Sequence, residues 1–245
     1  MRGRGAGVAA VLLLLLTGCG EGGEKAETKP ARPPKPSTAP GVDGDIDPGK
    51  VFTGAELKAA LLPAKAVGPK AQARDATTGI YEQPYGGGDW GACAPGAKAS
   101  TELFEMRGTR AEHLISPFPG AIADEGDPFV TQSLVSMRAG QAERHVTLRR
   151  QLHKACPAVT VDTEAAPVVE HHVFEELPGI GDEAILEATR TEGGDEYDGG
   201  TPYYRAEVRV GDVLVLVDAG PDKDLTISFA AQAAQRVRTE LYKVS

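Results

Sequence analysis

The sequence predicts an α+β fold: an antiparallel β-sheet packed with helices, placed after a signal peptide and a disordered linker. Three observations carry this expectation. Strand patterns succeed one another through the second half of the chain without intervening helices, the signature of antiparallel rather than βαβ connection. Residues 203–210 alternate Tyr204, Ala206, Val208 and Val210 with Arg205, Glu207 and Arg209, and so predict a strand with one wet face. An alanine-rich stripe at helical spacing then closes the chain.

The amino terminus precedes that domain. Arg2 and Arg4 stand before an apolar run that includes the five leucines at 12–16. The run is too short to cross a hydrocarbon core of about 30 Å and matches the central region of a signal peptide. Leu16-Thr17-Gly18-Cys19 resembles the bacterial lipobox. That resemblance implies cleavage after residue 18 and a diacylglyceryl thioether on Cys19, two acyl chains being what stable anchoring requires. Residues 1–18 are thus expected to be a lipoprotein signal peptide. Residues 19–50 are expected to be the lipidated cysteine and a disordered tether rich in Pro and Gly, with Pro30, Pro33, Pro34 and Pro36 biasing it toward polyproline II. Roughly 190 residues remain, enough for a single α+β domain at 51–245.

The formal charge of −9 becomes −11 once Arg2 and Arg4 are removed. Such a chain has no basic footprint for nucleic acid and no polybasic patch for an anionic membrane, so the lipid must do the anchoring. The three cysteines fit export. With Cys19 committed to lipid, Cys93 and Cys156 form an even pair in an oxidising compartment, and a disulfide between them is expected.

Within the domain, Thr53 and Glu56 are spaced as a capping box, beginning a helix that stops at Pro63. Residues 64–100, rich in Gly, Pro and Ala, read as irregular structure pinned by Cys93. A strand is expected at 129–137, then a helix at 139–156 with Leu148, Leu152 and Ala155 on one face. Strands follow at 159–162, 168–175 and 183–191. Gly211-Asp212 suits a type II′ hairpin turn. Residues 213–217 are apolar throughout, so this return strand should be central and covered on both faces. The last helix, at 225–242, should bury Ala230, Ala233, Ala234, Val237 and Leu241, with Arg236, Arg238 and Lys243 toward the negative end of its dipole.

Three stretches carry a further resemblance: Phe52-Thr53-Gly54-Ala55-Glu56-Leu57, Leu177-Pro178-Gly179-Ile180-Gly181-Asp182-Glu183-Ala184, and the hairpin over 208–219 with the helix after it. In this order of elements the chain resembles the actinobacterial extracytoplasmic sensor domain of PknH-type receptor kinases and related free lipoproteins, in outline over 51–243. The resemblance implies an antiparallel sheet with helices around a cleft and a ligand-sensing or ligand-binding role. It identifies no ligand. The chain departs from the family in having one expected disulfide where the kinase sensor has two, and in having no kinase domain.

Few motifs carry chemistry. Asp43, Asp45 and Asp47 alternate like the first half of a calcium loop, but Pro48 stands where the turn glycine belongs and Gly54 cannot supply the closing carboxylate. His171 and His172 are adjacent on a strand and point to opposite faces. His145 and His153 lie two helical turns apart. No metal-ligand spacing results, and neither metal nor other cofactor is expected. Ser116, Ser133 and Ser136 lack a nucleophile-elbow context. Gly86, Gly87 and Gly88 precede Asp89-Trp90 rather than a lysine and a helix start. Trp90, Tyr81 and Tyr85 are candidates to line an apolar pocket. Asp195, Glu196, Tyr197 and Asp198 form an acidic loop between two strands and are the candidate binding loop.

The expected function is therefore a non-enzymatic ligand-binding or sensor-type lipoprotein on the extracytoplasmic face of the cell membrane. Its partners would be the membrane, through the anchor, and a small-molecule or envelope ligand or a membrane protein. The alternatives are an envelope hydrolase, whose carboxylates, Asp182 and Glu183 or the 195–198 loop, would have to converge across a cleft, and a structural envelope protein.

Overall fold

A computed structural model describes residues 49–82, 93–116, 129–162, 166–193 and 200–243. Cys19, the expected signal peptide and nearly all of the expected tether, Asp43, Asp45 and Asp47, Gly86, Gly87 and Gly88, Tyr85 and Trp90, and the 195–198 loop lie outside these residues. The fold is α+β. In chain order it runs α1 (Gly54–Ala60), β1 (Gln72–Ala73), β2 (Thr77–Glu82), α2 (Ala97–Glu105), β3 (Arg107–Ser116), β4 (Val130–Ser136), α3 (Gln141–Ala155), β5 (Ala158–Val161), β6 (Val168–Glu176), β7 (Glu183–Glu192), β8 (Tyr203–Val210), β9 (Val213–Asp218) and α4 (Lys223–Glu240). Among the described residues no helix is long and apolar enough to cross a membrane.

Among the described residues, nine strands form one antiparallel sheet in the order β1-β3-β4-β9-β8-β7-β6-β5, with β2 sharing the outer edge of β3. The apolar strand β9 lies between β4 and β8, as its composition predicts. Gly211, at φ +58°, opens the β8–β9 turn, where its lack of a Cβ allows the positive φ. Each face of the sheet carries its own core. On one, Val208, Val210, Val213, Val215 and Val217 meet the expected stripe of α4, together with Leu57 and Phe52 of the α1 segment. On the other, Val135, Ile185 and Leu214 meet Val146, Leu148 and Leu152 of α3 and Leu103 of α2.

The capping box forms as its spacing predicts. The Glu56 backbone N–H donates to Thr53 Oγ1 and the Thr53 N–H donates to Glu56 Oε2. Two buried polar residues of β4 then dock this segment: the Phe52 N–H donates to Ser136 Oγ and the Leu62 N–H to Gln132 Oε1, both at 2.9 Å. Lys50, at the end of the expected tether, bonds Glu56 at 2.8 Å. Helix α4 begins two residues before its expected start because Asp222 caps it, accepting from the Leu225 N–H.

Residues 64–100 are not the irregular stretch expected. They contain β1, β2 and the start of α2. In β2 every residue but Tyr81 is exposed, so no alternating burial marks the strand; the ladder to β3 makes it. Helix α2 has Gly96 at its N-cap position, without a side-chain cap, and buries Leu103 alone. A disulfide joins Cys93 to the end of α3 at Cys156, with Cα atoms 6.2 Å apart. Gly96 fits beside it because a Cβ there would come within 2.4 Å of Cys156 Sγ. Ala155, expected on the buried face of α3, is exposed.

Candidate functional site

The pleat places side chains of every second residue on one face of a sheet, and register aligns them into rows across neighbouring strands. On the face that carries α3, one row runs Glu112, Ser133, Leu216, Glu207, Ile185 across β3, β4, β9, β8 and β7. The next runs Thr131, Asp218, Arg205, Glu187, Phe174 across β4, β9, β8, β7 and β6. Helix α3 covers the β6–β8 end of these rows. The β3–β9 end opens as a cleft of about 290 Å³, lined by Arg110, Glu112, Thr131, Ser133, Leu216, Asp218, Arg205 and Glu207, with Tyr81 and Tyr203 at its sides.

The cleft is polar and internally paired. Arg205 Nε donates to Asp218 Oδ1 at 2.6 Å. Ser133 Oγ donates to Glu112 Oε2, and Arg110 lies 3.6 Å from the same carboxylate. Burial pushes the Asp218 carboxyl up, against the pull of Arg205. Burial, with the nearby Asp218 charge, raises the Tyr203 hydroxyl to about 12. Two cations, three carboxylates and four hydroxyls thus converge on a small volume, the arrangement expected of a site that orients a polar ligand. A wider depression of about 580 Å³, between the end of α1 and α4, lacks such convergence.

Beneath α3 the rows continue into a buried ionic network. Arg149 donates through Nε to Glu207 Oε1 at 2.9 Å and through Nη2 to Glu187 Oε2 at 2.5 Å. His145 Nε2 meets Glu207 Oε2 at 3.0 Å, and His172 Nδ1 meets Glu187 Oε1 at 2.7 Å. His153 Nε2 stands 3.4 Å from the same Glu187 oxygen. Burial alone would raise Glu207, but Arg149 and His145 outweigh it and hold its carboxyl at about 2. Arg149 and His172 likewise overcome burial and hold Glu187 well below the usual carboxylate range. Burial, reinforced by Arg149, lowers His153 to about 4. Glu207 belongs to both sites: it lines the cleft and anchors the network.

The sequence singles out some of these residues and misses others. On the 203–210 face expected to be wet, Glu207 lies under α3 and is 1% exposed, while Arg205 and Arg209 remain partly exposed. Ser133 and Tyr81 do reach the cleft. Ser136 instead docks the α1 segment, and Ser116 is buried. Asp182 and Glu183 do not line the cleft. Asp182 accepts from the Gly211 N–H at 2.7 Å and lies near Arg209, while Glu183 is held by Arg150 and Arg209. Both brace the β8–β9 turn. His145 and His153 bind different glutamates, as their two-turn separation implies. His172, however, comes from β6 to join His153, with ring centroids 5.6 Å apart. The signal in the sequence is Arg149 between the two helix histidines: positions 145, 149 and 153 share one helix face.

No protein-family profile matches this chain, and no curated protein matches it in sequence. Among solved structures, the chain is similar to the crystal structure of the extracellular domain of PknH from Mycobacterium tuberculosis. The TM-score is 0.52 at 17% identity, covering 78% of this chain and 99% of that one. A likeness at this identity establishes the fold, and it agrees with the sensor-domain architecture expected from the three sequence stretches.

Proposed function

We propose that this chain is a tethered, extracytoplasmic, sensor-type binding module whose cleft takes a small polar ligand bearing both an anionic and a cationic or hydrogen-bond-donating group. The observation that carries this reading is the cleft, where Arg110 and Arg205 stand among Glu112, Asp218 and Glu207. The guanidinium groups suit a carboxylate or phosphate, and the carboxylates suit an ammonium or a set of hydroxyls. Each carboxylate is already held by a cation or a hydroxyl, which supports a binding role over acid–base catalysis. The likeness in fold to an extracellular domain supports the location. The lipobox at Cys19 supports the anchor.

Mass spectrometry of compounds released on denaturing the purified full-length protein tests the ligand. The expected result is a stoichiometric polar compound that is lost from Arg205→Ala. A protein that releases nothing, or releases the same compound from Arg205→Ala, would refute the assignment of this cleft. Cell fractionation of Cys19→Ala tests the anchor: the variant should leave the membrane fraction or stall in processing, and unchanged retention would refute it.

A further inference from the structure

Beside the cleft, His153, His172 and Glu187 come from three elements, α3, β6 and β7, and bring one ligand atom each to within 4.8 Å of the others. Among the described residues this is the one group of three or more metal-binding side chains placed so. We propose that these three residues form a binding site for a divalent cation of the zinc class, tying α3 to the sheet.

The spacing fits. Zinc–nitrogen and zinc–oxygen bonds near 2.0–2.1 Å in tetrahedral geometry put neighbouring ligand atoms about 3.3 Å apart. Glu187 Oε1 lies 2.7 Å from His172 Nδ1 and 3.4 Å from His153 Nε2, so small side-chain rotations would admit the ion. Two imidazoles and one carboxylate favour zinc over magnesium or calcium, which prefer all-oxygen sites. Thr189 Oγ1 lies 3.3 Å from His172 Nδ1, and a water would complete the coordination.

The surrounding contacts are those that metal centres use to orient their ligands. The far nitrogen of a metal-bound histidine characteristically faces a carboxylate. Here His172 Nε2 lies 3.7 Å from Glu170 Oε2, leaving Nδ1 directed at the site. The second oxygen of Glu187 is fixed by Arg149. Charge points the same way. Glu170, Glu187 and Glu207 oppose the guanidinium of Arg149, and the neighbouring Arg205 and Asp218 neutralise one another, leaving a formal excess of two negative charges when the histidines are neutral. A divalent ion would neutralise that excess.

The test uses the full-length protein stripped with a chelator. Zinc titration by calorimetry should show one ion per chain, and cobalt should give the intense visible bands of tetrahedral coordination. X-ray absorption at the zinc edge should require two imidazoles. His153→Gln should weaken zinc binding at least tenfold, while His171→Gln, on the opposite face of β6, should leave it unchanged. If the histidines balance the network with protons instead, zinc will not saturate at one per chain and the proposal fails. It also fails if His171→Gln weakens binding as much as His153→Gln, or if the edge spectrum requires fewer than two imidazoles. Should His153→Gln not fold, the wild-type spectrum decides.

Discussion

Arg149→Met is the sharpest perturbation of the buried network. The guanidinium is 1% exposed and sits between Glu187 and Glu207, at 2.5 and 2.9 Å. Removing it leaves two carboxylates buried without their principal counter-charge. Breaking such a pair costs about 3–5 kcal/mol, because the stranded charge keeps its desolvation penalty. For a domain of this size, about 2–4 °C per kcal/mol turns that into a fall in Tm on the order of 10 °C. The pH dependence gives the mechanism away. In the wild type the Glu207 carboxyl is held at about 2, so its contribution is fully present above the ordinary glutamate range and is lost only as pH falls toward that value. In the variant, burial is less opposed and both carboxyls move upward, so protonation relieves the folded state as pH falls. The gap between wild type and variant should therefore narrow from pH 7 to pH 5. Thermal melts followed by circular dichroism at the two pH values measure this, and Arg149→Met combined with Glu207→Gln should cost less than the two separately. A variant that melts within about 2 °C of wild type at pH 7, a shift worth under about 1 kcal/mol, would show that Arg149 is not the principal counter-charge of the two glutamates. So would a gap that widens at pH 5.

Three further outcomes follow from local geometry. Gly96→Ala forces a Cβ to within 2.4 Å of Cys156 Sγ and 2.7 Å of Leu152 Cδ1, and should cost about 1–3 kcal/mol by overpacking; Gly68→Ala, with open space around it, should be near neutral in the same urea titration. Replacing Cys93 and Cys156 with serine opens a loop between residues 63 apart and should lower stability on the order of 4 kcal/mol in the chain-entropy picture, so equal stability of oxidised and reduced wild type would count against it. Thr53→Ala removes the acceptor for the Glu56 N–H and should cost about 1 kcal/mol, visible as an earlier denaturation midpoint with an unchanged slope.

What could be read from the sequence was what is local. The Thr53–Glu56 box, the Gly211 turn and the α4 stripe each lie within a few turns or residues, and each stands as expected. Strand β2 was hidden because its side chains face solvent and its stability comes from β3, whose own pattern of Arg107, Arg110, Glu112 and His113 does not read as a buried strand. The cleft was hidden for a related reason. Its lining comes from five strands, β2, β3, β4, β8 and β9, and no spacing in the chain records which rows the register will align. The charged face of β8 was visible, but its cover was not: burial of Glu207 depends on Arg149 and His145 arriving from a helix some sixty residues earlier.

The cross-strand rows have an evolutionary consequence. A one-residue shift in any strand moves all its side chains to the opposite face. An insertion within β8 would carry Arg205 and Glu207 away from the cleft and drive Ala206 and Val208 out of the other core. A one-residue insertion must therefore be absorbed as a bulge to keep the rows aligned, while single substitutions at Arg110, Thr131, Ser133 or Arg205 leave the frame intact. The lining of the cleft can therefore be rewritten one position at a time on an unchanged backbone.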